Sequence, residues 1–448
     1  MSEQANVIPV STRIRQRDRD SILQSLRSGM VPRIGLQHVQ VGRPDEVQSL
    51  LRDIARIADG GSGVRFVIGE YGSGKTFFMH LVRTVALQKN LVTAHADLAP
   101  DRRLQATGGQ ARSLFSELMR NIATKAQPDG GAMTAVVEKF VTTALTEARK
   151  HDVNPEQVIR ERLSSLSELV GGYDFAEVIA AYWRGHDTGN EQLRTDAVRW
   201  LRGEFSTKTD ARAALGVRSI VDDSQFYDQL KLMGRLTKLA GYSGLLVCLD
   251  EMVNLHKMTS AAARSANYEQ ILRILNDGVQ GTAAHLGFLF GATPEFLTDQ
   301  RRGLYSYPAL QSRLAENTFA TGGLVDFSGP VLRLTNLTEA DLYQLLANLR
   351  RVQAGGDTAK ELVPDEALTA FMQHCSSRIG EAYFRTPRTT IKAFLDLLAV
   401  LEQNPGTDWR GLLPDVAIQP DRDPALDLVD GSAPADIDDD DDLDSLRV

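Results

Sequence analysis

The sequence predicts an α/β fold in which a parallel sheet is flanked by helices, and three observations indicate this fold. Four short apolar runs have the composition of buried strands: VRFVIG, LVTAHADL, GLLVCLD and LGFLFGA. Segments with helical spacing of apolar residues separate these runs. The first run leads through a glycine-rich turn directly into a helical segment. Strands that alternate with helices favour parallel pairing, because the chain must cross back over the sheet before each new strand.

The N-terminal part of the chain, residues 1–40, is expected to form a short amphipathic helix at 17–28 and then an extended arm. A helix is predicted from about Pro44 to Ala58, where apolar residues recur at helical spacing. Another begins near Thr76, directly after the glycine-rich turn. These elements open a predicted core domain that spans residues 41–334.

A large helical insertion is predicted inside this core. Every segment between about 109 and 239 has helical spacing, and turn residues separate the segments, so residues 130–222 are assigned to the insertion. One more helix, at about 263–278, is expected between the last two strands. Residues 335–404 again show helical spacing, and residues 335–410 are predicted to form a small C-terminal helical domain.

The acidity of the chain is concentrated in its last residues. The net charge is −8, but residues 421–448 alone contain eleven Asp, no Glu and two Arg. Such a segment repels itself and has little to bury, so we expect it to be disordered. It could serve as a solubilising tail, or as a docking or DNA-mimicking segment that competes for a basic surface.

The composition excludes several classes of protein. Apolar residues make up 42% and charged residues 24% of the chain, as in globular proteins rather than rods or disordered chains. There is no apolar run long enough for a membrane span, and the N-terminus lacks a secretory signal. Two cysteines are too few for a disulfide framework. We therefore expect a cytoplasmic protein without a membrane partner.

The glycine-rich turn fits the phosphate-binding pattern G-x-x-x-x-G-K-[ST] without a mismatch. In this pattern the backbone N–H groups bind phosphate oxygens, the lysine reaches the β- and γ-phosphates, and the hydroxyl ligates Mg²⁺. The pattern therefore predicts binding of ATP and Mg²⁺. A glycine turn that precedes Lys-Thr by chance is the alternative. The predicted site residues are Gly69, Glu70, Tyr71, Gly72, Ser73, Gly74, Lys75 and Thr76.

Two adjacent carboxylates end the third apolar run, LLVCLDE. An acid at the carboxyl end of a parallel strand points into the crevice where open α/β sheets bind their ligands. We expect Asp250 to hold Mg²⁺ through water, and Glu251 to activate the attacking water as a general base. The alternative is an ordinary strand end before a loop.

Several polar residues farther along the chain are weaker candidates. Thr293 follows the fourth apolar run and would lie beside Asp250 if the two strands are neighbours, but it could equally cap a turn before Pro294. Arg313 and Arg388 could each approach a γ-phosphate or remain solvated. A small basic loop that contains Arg301 and Arg302 could contact phosphate backbones or form ordinary solvated surface.

With these motifs in place, the chain resembles the AAA+ superfamily of P-loop ATPases. Within that superfamily it is similar to the ATP-binding proteins of bacterial BREX phage-defence systems, the BrxD-like group. The resemblance covers most of residues 20–400. The segments that carry it are SILQSLRSGMVPRIGLQHVQVGR, GEYGSGKTFF, RWLRGEF and VCLDE.

The resemblance implies roles that the residues alone do not establish. The sheet would have an extra strand between the two strands that carry the nucleotide motifs. Gly42 and Arg43 would line the adenine pocket, and Thr293 would take the sensor-one position. Arg388 would take the sensor-two position on a lid formed by the C-terminal helical domain. Arg313 would be an arginine finger that acts across a subunit boundary.

The resemblance also implies a function. We expect an ATPase that drives the assembly, loading or remodelling of a nucleic-acid-directed partner in phage defence. The alternative is an ATP-dependent regulatory switch or scaffold with slow turnover and no direct action on DNA. Candidate partners are further copies of the chain in an ATP-dependent oligomer, a helicase or other defence protein, and DNA.

Two departures from the family pattern matter for these expectations. The sequence distance from Thr76 to Asp250 is far longer than in a minimal AAA+ core, which the helical insertion accounts for. Few residues separate the lid from the acidic tail, so we expect no C-terminal winged helix. DNA binding would then have to come from the insertion or from a partner, or it would not occur at all.

Overall fold

The computed structural model describes residues 13–320, 324–379 and 387–415 of the chain. The predicted disordered tail at 421–448 lies outside the described residues. Within the described ranges, no helix combines the length and the apolar character that crossing a membrane requires.

In the described residues, five parallel strands form one sheet in the spatial order β2-β3-β4-β1-β5. The strands are β1 (Ser62–Ile68), β2 (Val92–Asp97), β3 (Leu245–Asp250), β4 (Leu286–Ala292) and β5 (Val331–Arg333). The first four coincide with the four apolar runs, which confirms the predicted parallel α/β fold. The three-residue edge strand β5 was not predicted.

Strand β4 lies between β1 and β3, as the resemblance implies for the extra strand. The register pairs Ile68 with Ala292 and Leu249 with Phe290. The carboxyl ends of β1, β3 and β4 therefore meet at one edge of the sheet. In open parallel sheets this edge forms the ligand-binding crevice.

Both faces of the sheet are covered by helices, as an all-parallel sheet requires. On one face Phe66 stacks on Phe290 with their ring centroids 4.8 Å apart, and both belong to the largest core cluster. On the other face Val67 and Leu289 pack in a second cluster. Because every residue of β3 and β4 is buried, these two strands form the centre of the sheet.

The helices nearest the predicted nucleotide motifs match the sequence periodicity closely. They are α1 (Gln16–Arg27), α2 (Pro44–Ala58), α3 (Lys75–Gln88) and α4 (Gln110–Arg120). Pro44 occupies the first turn of α2, where its missing N–H costs nothing. Helix α2 has the predicted bounds, and α1 and α3 each begin one residue earlier than predicted.

Between α4 and β3 the regular structure of the described chain is helical. The helices are α5 (Met133–His151), α6 (Pro155–Leu163), α7 (Gly172–Thr188), α8 (Glu191–Leu201), α9 (Lys208–Leu215) and α10 (Phe226–Leu239). Side chains of Asn154, Asn190 and Thr207 accept backbone N–H groups at the starts of α6, α8 and α9. The insertion helices share the largest core cluster with the sheet, since Phe140 and Phe288 both belong to it.

The helices that follow β3 and β4 connect the sheet to the C-terminal part of the chain. They are α11 (Val253–His256), α12 (Ala261–Gln280), α13 (Pro294–Thr298) and α14 (Pro308–Leu314). Helix α12 is the one predicted at about 263–278, and it extends two residues farther at each end.

The C-terminal helices form a core of their own. They are α15 (Glu339–Gln353), α16 (Asp365–Ile379), α17 (Pro387–Gln403) and α18 (Trp409–Leu412). Helix α1 packs into this core through Ile22, beside Leu346 and Phe394. Arg19 on α1 also donates to the Gln353 carbonyl at 2.7 Å and pairs with Glu402 at 2.7 Å. The N-terminal helix therefore belongs with the C-terminal helices in space.

Candidate nucleotide-binding site

The phosphate-binding pattern lies where the sequence predicts it, in a loop between β1 and α3. Gly72 and Gly74 have φ angles of 76° and 84°, which side-chain-bearing residues rarely adopt. Gly69 begins the loop, and its N–H donates to the Ala292 carbonyl at 3.1 Å. A Cβ on Gly69 would lie 2.5 Å from Ser73 Oγ. The glycines therefore allow a tight loop anchored to the end of β4.

Lys75 curls back over this loop. Its Nζ donates to the carbonyls of Gly69 at 2.8 Å and Glu70 at 2.9 Å. The pKa of Lys75 is lowered, because burial lowers it by more than the charges of Asp250 and Glu251 raise it. The ammonium is therefore held inside the loop, on the acidic side of the crevice.

The two halves of the predicted site meet directly. Thr76 Oγ1 donates to Asp250 Oδ2 at 2.9 Å, and Asp250 Oδ1 accepts the Glu251 N–H at 2.9 Å. A Cβ on Gly291 of β4 would collide with Asp250 Oδ1. Asp250 can therefore keep this position only because residue 291 has no side chain. The loop and the end of β3 thus form one site.

The oxygen atoms of this site fit a magnesium ion. A threonine hydroxyl and one carboxylate are hard oxygen donors, and Mg²⁺ commonly takes one or two carboxylates and fills its remaining positions with water and phosphate. Among the described residues, no group of three or more His, Cys, Asp or Glu side chains could hold a metal alone. The donor set of Thr76 and Asp250 therefore suits an ion that arrives with a phosphate ligand.

Glu251 has a strained backbone and a raised pKa. Its φ angle is 56°, in the left-handed region. Partial desolvation raises the pKa of its carboxyl group, and the charges of Asp250 and Asp97 raise it further. A carboxylate with a raised pKa is a better proton acceptor than an ordinary surface glutamate.

Asp97 is a neighbour of this site that the sequence analysis missed. It ends β2 and pairs in register with Asp250. Desolvation and the Asp250 charge raise the pKa of Asp97. The sequence does contain a signal for this residue, because the segment LVTAHADL has an acid next to its last position. Only the strand register, however, places that acid beside Asp250.

Thr293 lies at the end of β4, between the two motifs. Its Oγ1 is buried, has no hydrogen-bond partner among the described residues and does not cap α13. The alternative role as a capping threonine therefore lacks its defining hydrogen bond. A buried hydroxyl without a partner at this edge suits a ligand or a water molecule.

Gly42 and Arg43 precede α2, and Arg43 contacts the phosphate-binding loop. Arg43 Nη2 donates to the Ser73 carbonyl at 2.6 Å and to the Thr335 carbonyl at 3.0 Å. Gly42 has a φ angle of 61°, and a Cβ there would lie 3.0 Å from Asp341 Oδ1 at the start of α15. This dipeptide therefore connects the loop to the segment that leads into the C-terminal helices.

The two remaining arginines have contacts outside the loop. Arg313 is exposed on α14, and its Nε donates to Asn276 Oδ1 of α12 at 2.7 Å while Nη1 donates to the Ala309 carbonyl at 2.9 Å. Arg388 lies in the first turn of α17, where a Cβ on Gly29 would be 2.6 Å from its Nε. These contacts of Arg313 and Arg388 are with residues outside the nucleotide motifs.

The parallel sheet and the loop between β1 and α3 define a P-loop NTPase-like protein. Residues 14–416 match the model of a family described as BREX system ATP-binding protein BrxC/D. This match spans most of the chain, which therefore belongs to the BrxC/D family. A comparison with curated proteins finds no significant match.

Proposed function

We propose that the protein binds ATP with Mg²⁺ at the carboxyl ends of β1, β3 and β4 and hydrolyses it to ADP and phosphate. The observation that carries this proposal is the hydrogen bond from Thr76 Oγ1 to Asp250 Oδ2, together with the Lys75 ammonium that the adjoining loop holds at the Gly69 carbonyl. These three groups supply the hydroxyl, the carboxylate and the cation that a phosphate–magnesium ligand requires. The family description supports ATP as the nucleotide.

In the proposed complex, the backbone N–H groups of the loop bind the phosphate oxygens. Lys75 leaves the carbonyls of Gly69 and Glu70 and contacts the β- and γ-phosphates. Thr76 and Asp250 would hold Mg²⁺, which would supply positive charge to neutralise the same phosphates. The exchange of carbonyl partners for phosphate is favourable, because a buried ammonium gains more from an anion than from neutral oxygens.

Glu251 then orients a water molecule in line with the γ-phosphorus. The water oxygen forms a bond to phosphorus, the bond to the bridging oxygen of ADP breaks, and the water proton passes to the Glu251 carboxylate. Thr293 Oγ1 is available to donate to the γ-phosphate or to that water, since no described residue accepts its hydrogen bond.

Four residues outside the crevice complete the proposal. Gly42 and Arg43 would line the adenine side of the site, and their contacts with Ser73 and Asp341 support that position. Arg313 would reach the site of a neighbouring copy in an ATP-dependent oligomer, which its exposure supports. Arg388 would contact the nucleotide when the lid closes.

The family supports a role in phage defence, where we propose that hydrolysis drives assembly, loading or remodelling of a nucleic-acid-directed partner. A helicase, another defence protein or DNA would be that partner. Cys248 and Cys375 are free and buried, which suits the reducing cytoplasm in which we propose that the protein acts.

A slow nucleotide-dependent switch is the second candidate function. The hydrogen bonds from Arg43 to Ser73 and Thr335 favour it, because they connect the phosphate-binding loop to the segment that leads into the C-terminal helices. Measurement of ATP turnover with and without duplex DNA separates the two functions. Strong stimulation by DNA supports the remodelling ATPase, and slow unstimulated turnover with ATP-dependent oligomerisation, detected by light scattering, supports the switch.

A further inference from the structure

The fold assembles a basic surface from two segments that are distant in sequence. We define this basic surface as Lys257, Arg264, Arg301 and Arg302. Arg264 Nη1 and Arg302 Nη2 donate to the same carbonyl oxygen, that of Met258, at 2.7 and 2.8 Å. Lys257 and Arg301 are the exposed residues that directly precede Met258 and Arg302. The loop of Arg301 and Arg302 is therefore joined to the segment that follows β3.

This surface holds like charges together without neutralising them. Within the part of the chain that the structure describes, none of its four residues forms an ion pair. Asp299 is an acidic side chain in contact with the backbone of this surface, and it accepts hydrogen bonds from the His256 ring and the Arg301 N–H, both at 2.8 Å. Two guanidinium groups on one neutral oxygen repel each other, and an anionic ligand would remove that repulsion.

The surface is also held in place before any ligand binds. The buried hydroxyl of Tyr268, on α12, donates to the Arg302 carbonyl. Buried Asn267, beside it on the same helix, accepts the N–H groups of Leu104 and Gln105 at 3.0 Å each. The basic side chains therefore project from a backbone that is already held in place, which reduces the conformational entropy lost on binding.

We infer that this basic surface binds the phosphodiester backbone of a nucleic acid. Guanidinium groups match phosphate oxygens in pairs, and four cations spread over two segments suit an extended polyanion better than a single small ion. A protein partner fits less well, because the exposed large apolar residues of the described chain lie elsewhere and the surface offers no apolar anchor. The inference adds a ligand to the proposed ATPase but does not rest on hydrolysis, since binding is measured without ATP.

The position of the surface suits communication with the proposed catalytic carboxylate. Lys257 follows Glu251 by six positions in the chain. Helix α11, between Glu251 and Lys257, is only four residues long. A bound phosphate backbone would therefore lie one short helix away from Glu251.

The test is fluorescence anisotropy of a labelled DNA duplex of about 30 base pairs, titrated with full-length protein from about 50 to 200 mM salt. Four phosphate contacts predict a slope of log K against log salt of about −3 to −4, at about −0.9 per contact. Arg264→Gln/Arg302→Gln and, separately, Lys257→Gln/Arg301→Gln should each reduce that slope by about two and weaken binding at least about tenfold at the lowest salt.

The matched control also removes two positive charges, but from a different part of the protein. Arg160→Gln/Arg199→Gln changes two ion-paired arginines on the insertion and should leave affinity and slope unchanged. The inference is overturned if both basic-surface variants bind like this control. It is also overturned if only Arg264→Gln/Arg302→Gln loses binding and its melting temperature falls, because that result indicates a structural role at Met258. Binding of inorganic polyphosphate without binding of duplex or single-stranded DNA would reject a nucleic-acid ligand.

Discussion

Thr76 Oγ1 and Asp250 Oδ2 are hydrogen-bonded at 2.9 Å although 174 positions separate the two residues in the chain. The helical insertion lies between them in sequence, yet the sheet places the ends of β1 and β3 close enough for both residues to contact one ligand. Because β4 separates these strands, the side chain at position 291 must be absent, and glycine stands there.

Replacement of Lys75 by Ala should abolish ATP binding. Lys75 is the cation that the phosphate-binding loop directs at its own centre, so its loss leaves the β- and γ-phosphates without a charged partner. Isothermal titration with ATP measures the effect, and Lys89→Ala, at the exposed end of α3, is the control. Retention of micromolar affinity by a folded Lys75→Ala protein would show that ATP binds elsewhere.

Glu251→Gln should keep ATP binding but reduce hydrolysis at least about a hundredfold, the scale expected for loss of a general base. The amide preserves the shape of the side chain and removes its ability to accept a proton. Phosphate release under saturating ATP measures turnover, with Glu269→Gln on the exposed side of α12 as the control. Near-normal turnover would mean that another residue activates the water.

The pH dependence of turnover should reflect the raised pKa of Glu251. Glu251 must be ionised to accept a proton, so activity should fall as pH decreases through its pKa, at a pH above the ordinary glutamate value of about 4.3. The Asp97 charge disfavours ionisation of Glu251, so Asp97→Asn should move this acid limb to lower pH. Asp101→Asn, on the exposed loop beyond β2, is the control. An acid limb that stays in place in Asp97→Asn would contradict the coupling.

Much of this site could be predicted because its signals are local. The loop pattern and the apolar runs each lie within one short segment, and the four long strands follow from composition alone. Asp97 could not be assigned, since its neighbour Asp250 is set by strand register across the insertion. Strand β5 was missed because three residues are too few to show a periodicity.

The contacts of Arg43 and of α1 depend on the fold of the whole chain. Arg43 has a left-handed φ of 59°, and that backbone conformation helps to direct its side chain at the carbonyls of Ser73 and Thr335. Nothing in the local sequence specifies either carbonyl. Likewise, the amphipathic pattern of residues 17–28 predicts a helix but does not identify the C-terminal helices as its partner.

Arg43→Met should weaken ATP binding by about tenfold and destabilise the fold. The substitution keeps the aliphatic stem but removes hydrogen bonds to two carbonyls, and a hydrogen bond to a charged group contributes about 1.5–3 kcal/mol. Titration with ATP and thermal unfolding measure the two effects. Arg52→Met, on the exposed face of α2, should change neither. Equal behaviour of the two variants would contradict a role for Arg43 in the loop.

Arg313 tests whether the site is shared between copies of the chain. In the structure Arg313 contacts Asn276 and a carbonyl of its own helix, and these contacts lie outside the phosphate-binding loop. A catalytic role for Arg313 would therefore be exerted on the site of a neighbouring copy. Arg313→Ala should bind ATP normally and hydrolyse it poorly, because an arginine finger contributes about a thousandfold or more to turnover. Arg212→Ala, an exposed arginine of α9, should keep full activity.

Mixing two inactive variants then separates action across a subunit boundary from action within one chain. In assemblies of Arg313→Ala and Glu251→Gln, some interfaces combine an intact Glu251 from one copy with an intact Arg313 from its neighbour, so phosphate release should partly recover. If Arg313 acts within its own chain, no mixture can join the two intact residues. Absence of recovery from variants that bind ATP and assemble would therefore reject the action across subunits. Wild-type turnover in Arg313→Ala alone would reject any catalytic role for this residue.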